Sequence, residues 1–278
     1  MESAFTFAKP LFGDVIEITL YDVDAILAEL VVADAYVEAL RLQKIFNLYD
    51  SASELSRLNT TRKLSCSQEL LSVLQYAVTL GVLTDGLYDV SLGQLFLARK
   101  TGSAEPVLHC SYKDISLMGN TVQLTHADAH IDLGSVAKGY IVDQIVSFLK
   151  DRGIKSGLVN GRGDVRLFGS HNHSVAVQHP RNPEQIISSF VIHDKAVATS
   201  GDYRQFSGTP ATSHLINNKW FASVSVIAPT LQEADAFATV ISVLDAKKTE
   251  KLLKERPDLE VLTVDKKLRV STYNLKLP

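Results

Sequence analysis

Between His130 and Gly169 the chain reads HIDLGSVAKGYIVDQIVSFLKDRGIKSGLVNGRGDVRLFG. This order of strand, glycine-bearing turn, helix, turn and strand constrains the fold more than any other stretch. Ile131 and Leu133 are predicted to end a buried strand, and the small residues of Gly134-Ser135-Val136-Ala137-Lys138-Gly139 allow a tight turn after it. In the helix that follows, Ile141, Ile145, Phe148 and Leu149 recur at i, i+4, i+7 and i+8, with Asp143, Ser147, Lys150 and Asp151 on the other face. Gly153 ends it. Gly157-Leu158-Val159 then leads into the irregular turn Asn160-Gly161-Arg162-Gly163-Asp164 and a strand over Val165–Phe168.

A glycine-flanked turn opening a helix presents unpaired N–H groups and the positive end of the helix dipole, to which Lys138 adds a full charge. The spacing suits an anion site and an ordinary tight connection equally. It is neither the G-x-G-x-x-G dinucleotide fingerprint nor a P-loop.

The remainder alternates helical and extended patterns. Phe5–Leu20 is predicted to be extended around Gly13, with Val15, Ile16, Ile18 and Leu20 as core candidates. A long amphipathic helix is expected from about Asp24 to Asn47, with Ile26, Leu30, Val37, Leu40 and Ile45 among its apolar members. Ser65 and Gln68 have capping-box spacing ahead of a second helix toward Gly86. Short strands are expected at Val107-Leu108 and Val122–Leu124, with a turn at Gly119-Asn120. Beyond the central stretch, strands are expected at 175–177, 189–192, 196–199, 214–216 and 222–227. A helix from about Lys247 to Glu255 and a hairpin around Asp265-Lys266 close the chain. The expected class is α+β, with mixed sheets flanked by helices, over residues 1–278 as one domain or two closely packed lobes.

Thr230-Leu231-Gln232-Glu233 is a capping box opening another helix, on which Asp235 and Thr239 are four apart and share a face. Their neighbours are mostly apolar, and a buried carboxylate and hydroxyl need partners. Two readings stand: Asp235 binds a nearby backbone group or arginine while Thr239 bonds along its own helix, or the pair ligates a hard cation such as Mg²⁺.

Composition narrows the classes. The net charge is -3 over 278 residues, with no basic footprint for nucleic acid. Cys66 and Cys110 are too few for a disulfide framework and lack metal spacing. No leader pattern or run of about 18 apolar residues appears. The chain is expected to be soluble, either cytoplasmic or an exported or membrane-anchored protein, periplasmic for example, whose leader has been removed.

Several separated motifs share one further property. Tyr49-Asp50 with Ser53–Asn59, Tyr88–Gly93, Ile131–Gly139, Asn160–Arg166, Ala198–Arg204, Ser213-His214 and Ala234–Thr239 occur in the order found in the ApbE family of FAD:protein FMN transferases, which the chain resembles. The resemblance implies Mg²⁺-dependent transfer of FMN from FAD to a threonine or serine hydroxyl of a flavoprotein acceptor, releasing AMP. It implies metal ligation by Ala137, Asp235 and Thr239, and FAD contacts from Lys138, Asp202, Tyr203 and Arg204. Glu54 and Asn59 would line the pocket from the amino-terminal half, and His214 would be the base. The chain departs from the family pattern at Phe12-Gly13-Asp14, at Arg162, and in the Leu215–Trp220 loop after His214. Hydrolysis of FAD to FMN and AMP, and FAD binding without catalysis, are the alternatives.

Overall fold

The computed structural model describes residues 4–11, 13–202 and 218–275. The chain starts with an antiparallel hairpin, β1 (Ala4–Leu11) and β2 (Asp14–Tyr21). Helix α1 (Ala25–Phe46) begins where the Asp24 carboxylate accepts the N–H groups of Ile26 and Leu27 at 2.9 and 3.1 Å. Next come α2 (Glu54–Thr61), β3 (Lys63–Ser65) and α3 (Gln68–Leu83). The cap of α3 is Ser67, whose hydroxyl accepts from the Leu70 N–H at 3.3 Å; the expected cap, Ser65, ends β3 instead. Helix α4 (Gly93–Thr101) precedes β4 (Ile115–Met118) and β5 (Thr121–Leu124), which turn at Gly119-Asn120 as expected and pair with β3 in a small sheet.

The central segment folds as α5 (Ala137–Asp151), β6 (Gly157–Gly161) and β7 (Asp164–Phe168). Arg162 (φ 62°) and Gly163 (φ 89°) both take the left-handed conformation that a two-residue hairpin turn requires. The chain continues through β8 (Asn172–His179), β9 (Asn182–His193), β10 (Ala196–Gly201), β11 (Phe221–Ala228), α6 (Leu231–Val243), α7 (Ala246–Glu255), β12 (Glu260–Asp265) and β13 (Val270–Tyr273).

Eight strands form one antiparallel sheet in the order β1-β2-β6-β7-β10-β11-β12-β13. Its central strands are covered on both faces. On one face α6 lies against β10 and β11, α5 packs on α6, and α1 on α5, enclosing the main core of Ile16, Ile18, Val159, Ile141, Ile145 and Phe237. On the other, the β8–β9 hairpin covers Leu158, Leu167, Val197, Ile227 and Leu262. Every residue of β11 is therefore buried.

Three further expectations change. Ile131 and Leu133 are buried but in no strand; this segment's backbone bonds to Val90 and Ser91 and to the Asn59 side chain instead of a ladder, apart from a single bridge between Leu92 and His130. Helix α1 buries Ala28, Val31, Val32, Ala35, Ala39 and Leu42, leaving Ile26, Leu30, Val37 and Leu40 exposed along with Val15. Val107-Leu108 is not a strand. Among the described residues no helix is long and apolar enough to cross a membrane.

Candidate active site

The beginnings of α5 and α6 meet beside the start of β7 and the end of β10, and four sequence-predicted residues meet there. Thr230 caps α6, its hydroxyl accepting the Glu233 N–H at 3.3 Å and donating to the Glu233 carboxylate at 3.2 Å. One turn further on, Asp235 is 7 % exposed and its Oδ2 is buried with no hydrogen-bond partner among the described residues. The Thr239 hydroxyl lies 3.3 Å from the Asp235 carbonyl and 3.2 Å from the Ser200 hydroxyl. From the first turn of α5, the Lys138 ammonium contacts the Asp164 carboxylate and stands 3.6 Å from Asp235 Oδ2. Asp164 also accepts the Thr199 N–H at 3.0 Å.

Two buried carboxylates thus share one ammonium. Burial pushes the Asp235 carboxyl up to about 7; Lys138 pulls it down, Asp164 pushes it up, and the Gly139 N–H pulls it down. Burial acts to lower the Lys138 pKa, but Asp235 and Asp164 outweigh it and the net direction is upward. The Lys138 ammonium at the opening of α5 is thus held by two of the chain's own carboxylates, Asp164 on β7 and Asp235 on α6.

These residues form the polar wall of a cavity of about 960 Å³, at the upper end of the roughly 300–1,000 Å³ typical of small-molecule sites. Its lining includes Ala137, Lys138, Asp164, Ser200, Asp235 and Thr239, together with the apolar Phe46, Leu48, Leu87, Leu92 and Phe96. Near them the Lys100 ammonium lies 4.4 Å from the centre of the Tyr49 ring and bonds its hydroxyl at 2.5 Å. The cavity lining combines apolar side chains with charged ones, as an aromatic ligand bearing phosphates would need.

Among the described residues no group of three His, Cys, Asp or Glu side chains could hold a metal. A cation here would have to take hydroxyl and carbonyl oxygens along with one carboxylate. The Asp235 oxygen that accepts no hydrogen bond, the Thr239 hydroxyl and the cavity-lining Ala137 fit a hard, oxygen-seeking ion such as Mg²⁺.

Three expected pocket residues point elsewhere. Glu54 accepts the N–H and hydroxyl of Ser67 at 2.5 and 2.6 Å, tying α2 to the start of α3. Asn59 brackets the Ile131 backbone, accepting its N–H at 2.7 Å and donating to its carbonyl at 2.9 Å. Asp202 binds Arg181 at 2.5 and 2.8 Å and Lys266 at 2.5 Å, pinning the β8–β9 hairpin and the β12–β13 turn to the end of β10. None of the three is among the cavity-lining residues. Tyr203, Arg204 and His214 lie outside the described residues. Asp164 is the site residue that sequence reasoning left without a role; its place at the end of the Asn160–Asp164 turn, opposite the Lys138 turn, was the available signal.

Known proteins resemble this chain in sequence and in fold. The ApbE family model matches residues 12–263. The FAD:protein FMN transferase of Vibrio cholerae is 29% identical over 227 residues, covering 70% of this chain and 68% of that one. The corresponding Escherichia coli K12 protein is 27% identical over 257 residues, covering 80% and 73%. The crystal structure of the ApbE protein from Thermotoga maritima superposes with a TM-score of 0.83 at 22% identity, covering 97% of this chain and 96% of the other, a likeness of fold. With the motifs in family order, the family model spanning nearly the whole chain and the same architecture throughout, this chain belongs to the ApbE family.

Proposed function

We propose that this protein is a Mg²⁺-dependent FAD:protein FMN transferase that joins FMN through a phosphoester to a threonine or serine of a flavoprotein acceptor and releases AMP. The observation that carries the reading is the buried Asp235 oxygen without a hydrogen-bond partner, beside Thr239 and Lys138 in the wall of a large half-apolar cavity. The names of the related proteins from Vibrio cholerae and Escherichia coli support the substrate class.

In this reading Asp235, Thr239 and the Ala137 carbonyl hold the ion. When bound, it supplies positive charge that offsets the negative charge of the pyrophosphate and of the attacking oxygen. The apolar wall from Phe46 to Phe96 packs the isoalloxazine and excludes water from it. Lys138, already poised at the cavity wall, neutralises phosphate charge. The acceptor oxygen forms a bond to the FMN-side phosphorus, the bond from that phosphorus to the bridging oxygen breaks, and the bridging oxygen leaves with AMP. The acceptor's proton is assigned to His214 on sequence alone.

The test is incubation with FAD and a flavoprotein fragment carrying an acceptor threonine, with and without Mg²⁺, followed by intact mass and AMP quantification. A magnesium-dependent gain of one FMN on the acceptor is expected. AMP with free FMN and no labelled acceptor would replace the reading with FAD hydrolysis. FAD binding without AMP release would replace it with a binding role.

A further inference from the structure

We infer that Asp143 is a positioning residue for the cation site, locking α6 onto α5 so that Asp235 and Thr239 stand against Ala137 and Lys138. The inference rests on the magnesium reading above.

Asp143 lies on α5, one helical turn after Gly139. Its two oxygens accept the Leu231 and Gln232 N–H groups of α6 at 2.9 and 2.8 Å. Thr230 already serves the Glu233 N–H, so the first turn of α6 is closed by its own cap and by a carboxylate from a neighbouring helix. Gly139 makes this approach sterically possible. A Cβ there would stand 2.5 Å from the Leu231 carbonyl and 2.6 Å from the Gln232 Cα, closer than real side chains come.

Asp143 is itself held from the sheet. Arg166 Nε stands 3.7 Å from its Oδ1. Arg166 and Asp164 are two apart on β7 and share a face, and Asp164 contacts Lys138. β7 therefore grips α5 at two points with opposite polarity, acid to base at Lys138 and base to acid at Asp143, and Asp143 passes that placement on to α6.

The joint is close to the chemistry on both helices. Asp235 follows Leu231 by four residues, about 6 Å along the axis, and Ala137 precedes Gly139 by two residues. A small tilt of α6 at this joint moves Asp235 and Thr239 away from Ala137 together. Asp143→Asn turns one acceptor into an N–H₂ group facing an N–H donor, and Gly139→Ala drives the helices apart while leaving every charge in place.

The experiment uses Mn²⁺ as the probe. Free ion is counted by electron paramagnetic resonance during titration of the full-length wild type, Asp143→Asn, Gly139→Ala and Asp235→Ala, each at a temperature where circular dichroism shows it folded. Asp143→Asn and Gly139→Ala are expected to weaken Mn²⁺ binding tenfold or more, while FAD affinity measured without metal stays within about threefold. A merely structural cap would lower melting temperature and leave the Mn²⁺ affinity of the folded protein intact. Affinity within twofold of wild type in the folded variants overturns the inference. If Asp143→Asn does not fold, Gly139→Ala decides. A wild type that binds no Mn²⁺, or binds it equally after Asp235→Ala, sinks the metal reading itself and the inference with it.

Discussion

Asp235→Asn should make the metal-free protein more stable at pH 8, although it removes the charge on which the proposed activity depends. Burial holds the folded carboxyl at about 7, against about 3.9 in an unfolded chain. Between those values the folded protein keeps a proton that the unfolded chain has released. Its contribution is thus fully present below about pH 4 and is lost as pH rises through about 7. About three pH units at 1.36 kcal/mol each set a ceiling of about 4 kcal/mol on the cost of ionising Asp235 above neutrality. Lys138 loses one of two carboxylate neighbours in the variant but keeps Asp164, so no buried charge is left uncompensated. The expected gain is about 1–4 kcal/mol, or roughly 2–7 °C in melting temperature for a chain of this size. Calorimetry in EDTA at pH 8 and pH 4 tests it: the variant should melt higher at pH 8, and the gap should close at pH 4. Millimolar Mg²⁺ should then raise the wild type and leave the variant unmoved, since only a protein that binds the ion is stabilised by it. A variant less stable than wild type at pH 8 in EDTA, or a gap unchanged at pH 4, refutes the account of Asp235 as a strained carboxylate.

Other residues carry separable expectations. Burial acts to raise the Asp202 carboxyl, but Arg181 and Lys266 outweigh it and hold it below the usual carboxylate range. Its stabilising effect is present above about pH 4 and lost as pH falls through the lowered value. Asp202→Asn should therefore cost about 2 kcal/mol at pH 7, with partly exposed partners limiting the loss; urea melts that still differ from wild type by as much at pH 2.5 would contradict this. Asn59→Ala strips both partners from the buried Ile131 backbone and should cost about 2–4 kcal/mol. A thermal melt within about 2 °C of wild type would show that the segment finds other partners.

Much of the secondary structure was legible from local chemistry. The α5 periodicity, the Thr230 cap and the Gly119-Asn120 turn each depend on residues a few positions apart. So does the pairing of Asp235 with Thr239 on one face of α6. The errors share a cause. On α1, apolar residues occupy more than one face, and the close-packed side proved to be the one rich in alanine, Ala28, Ala35 and Ala39, because a small side chain lets α5 and β1 approach. Glu54 and Asn59 carry groups equally suited to a ligand or to a neighbouring backbone, and the nearby Ser67 and the distant Ile131 decided the matter. Asp143 reads as solvent-facing by periodicity, yet its partners begin 88 residues further along the chain.

By itself, then, the sequence determined the order of elements, the family motifs and the chemical groups available to a site. Tertiary structure alone decided which of those groups face the cavity and which hold the frame together. Helix periodicity and capping arise within a few residues of backbone. The sharing of Lys138 between Asp164 and Asp235 exists only once a strand and two helices distant in sequence have packed closely enough to exclude water, and that same exclusion makes a carboxylate oxygen with no hydrogen bond costly and fit for a cation.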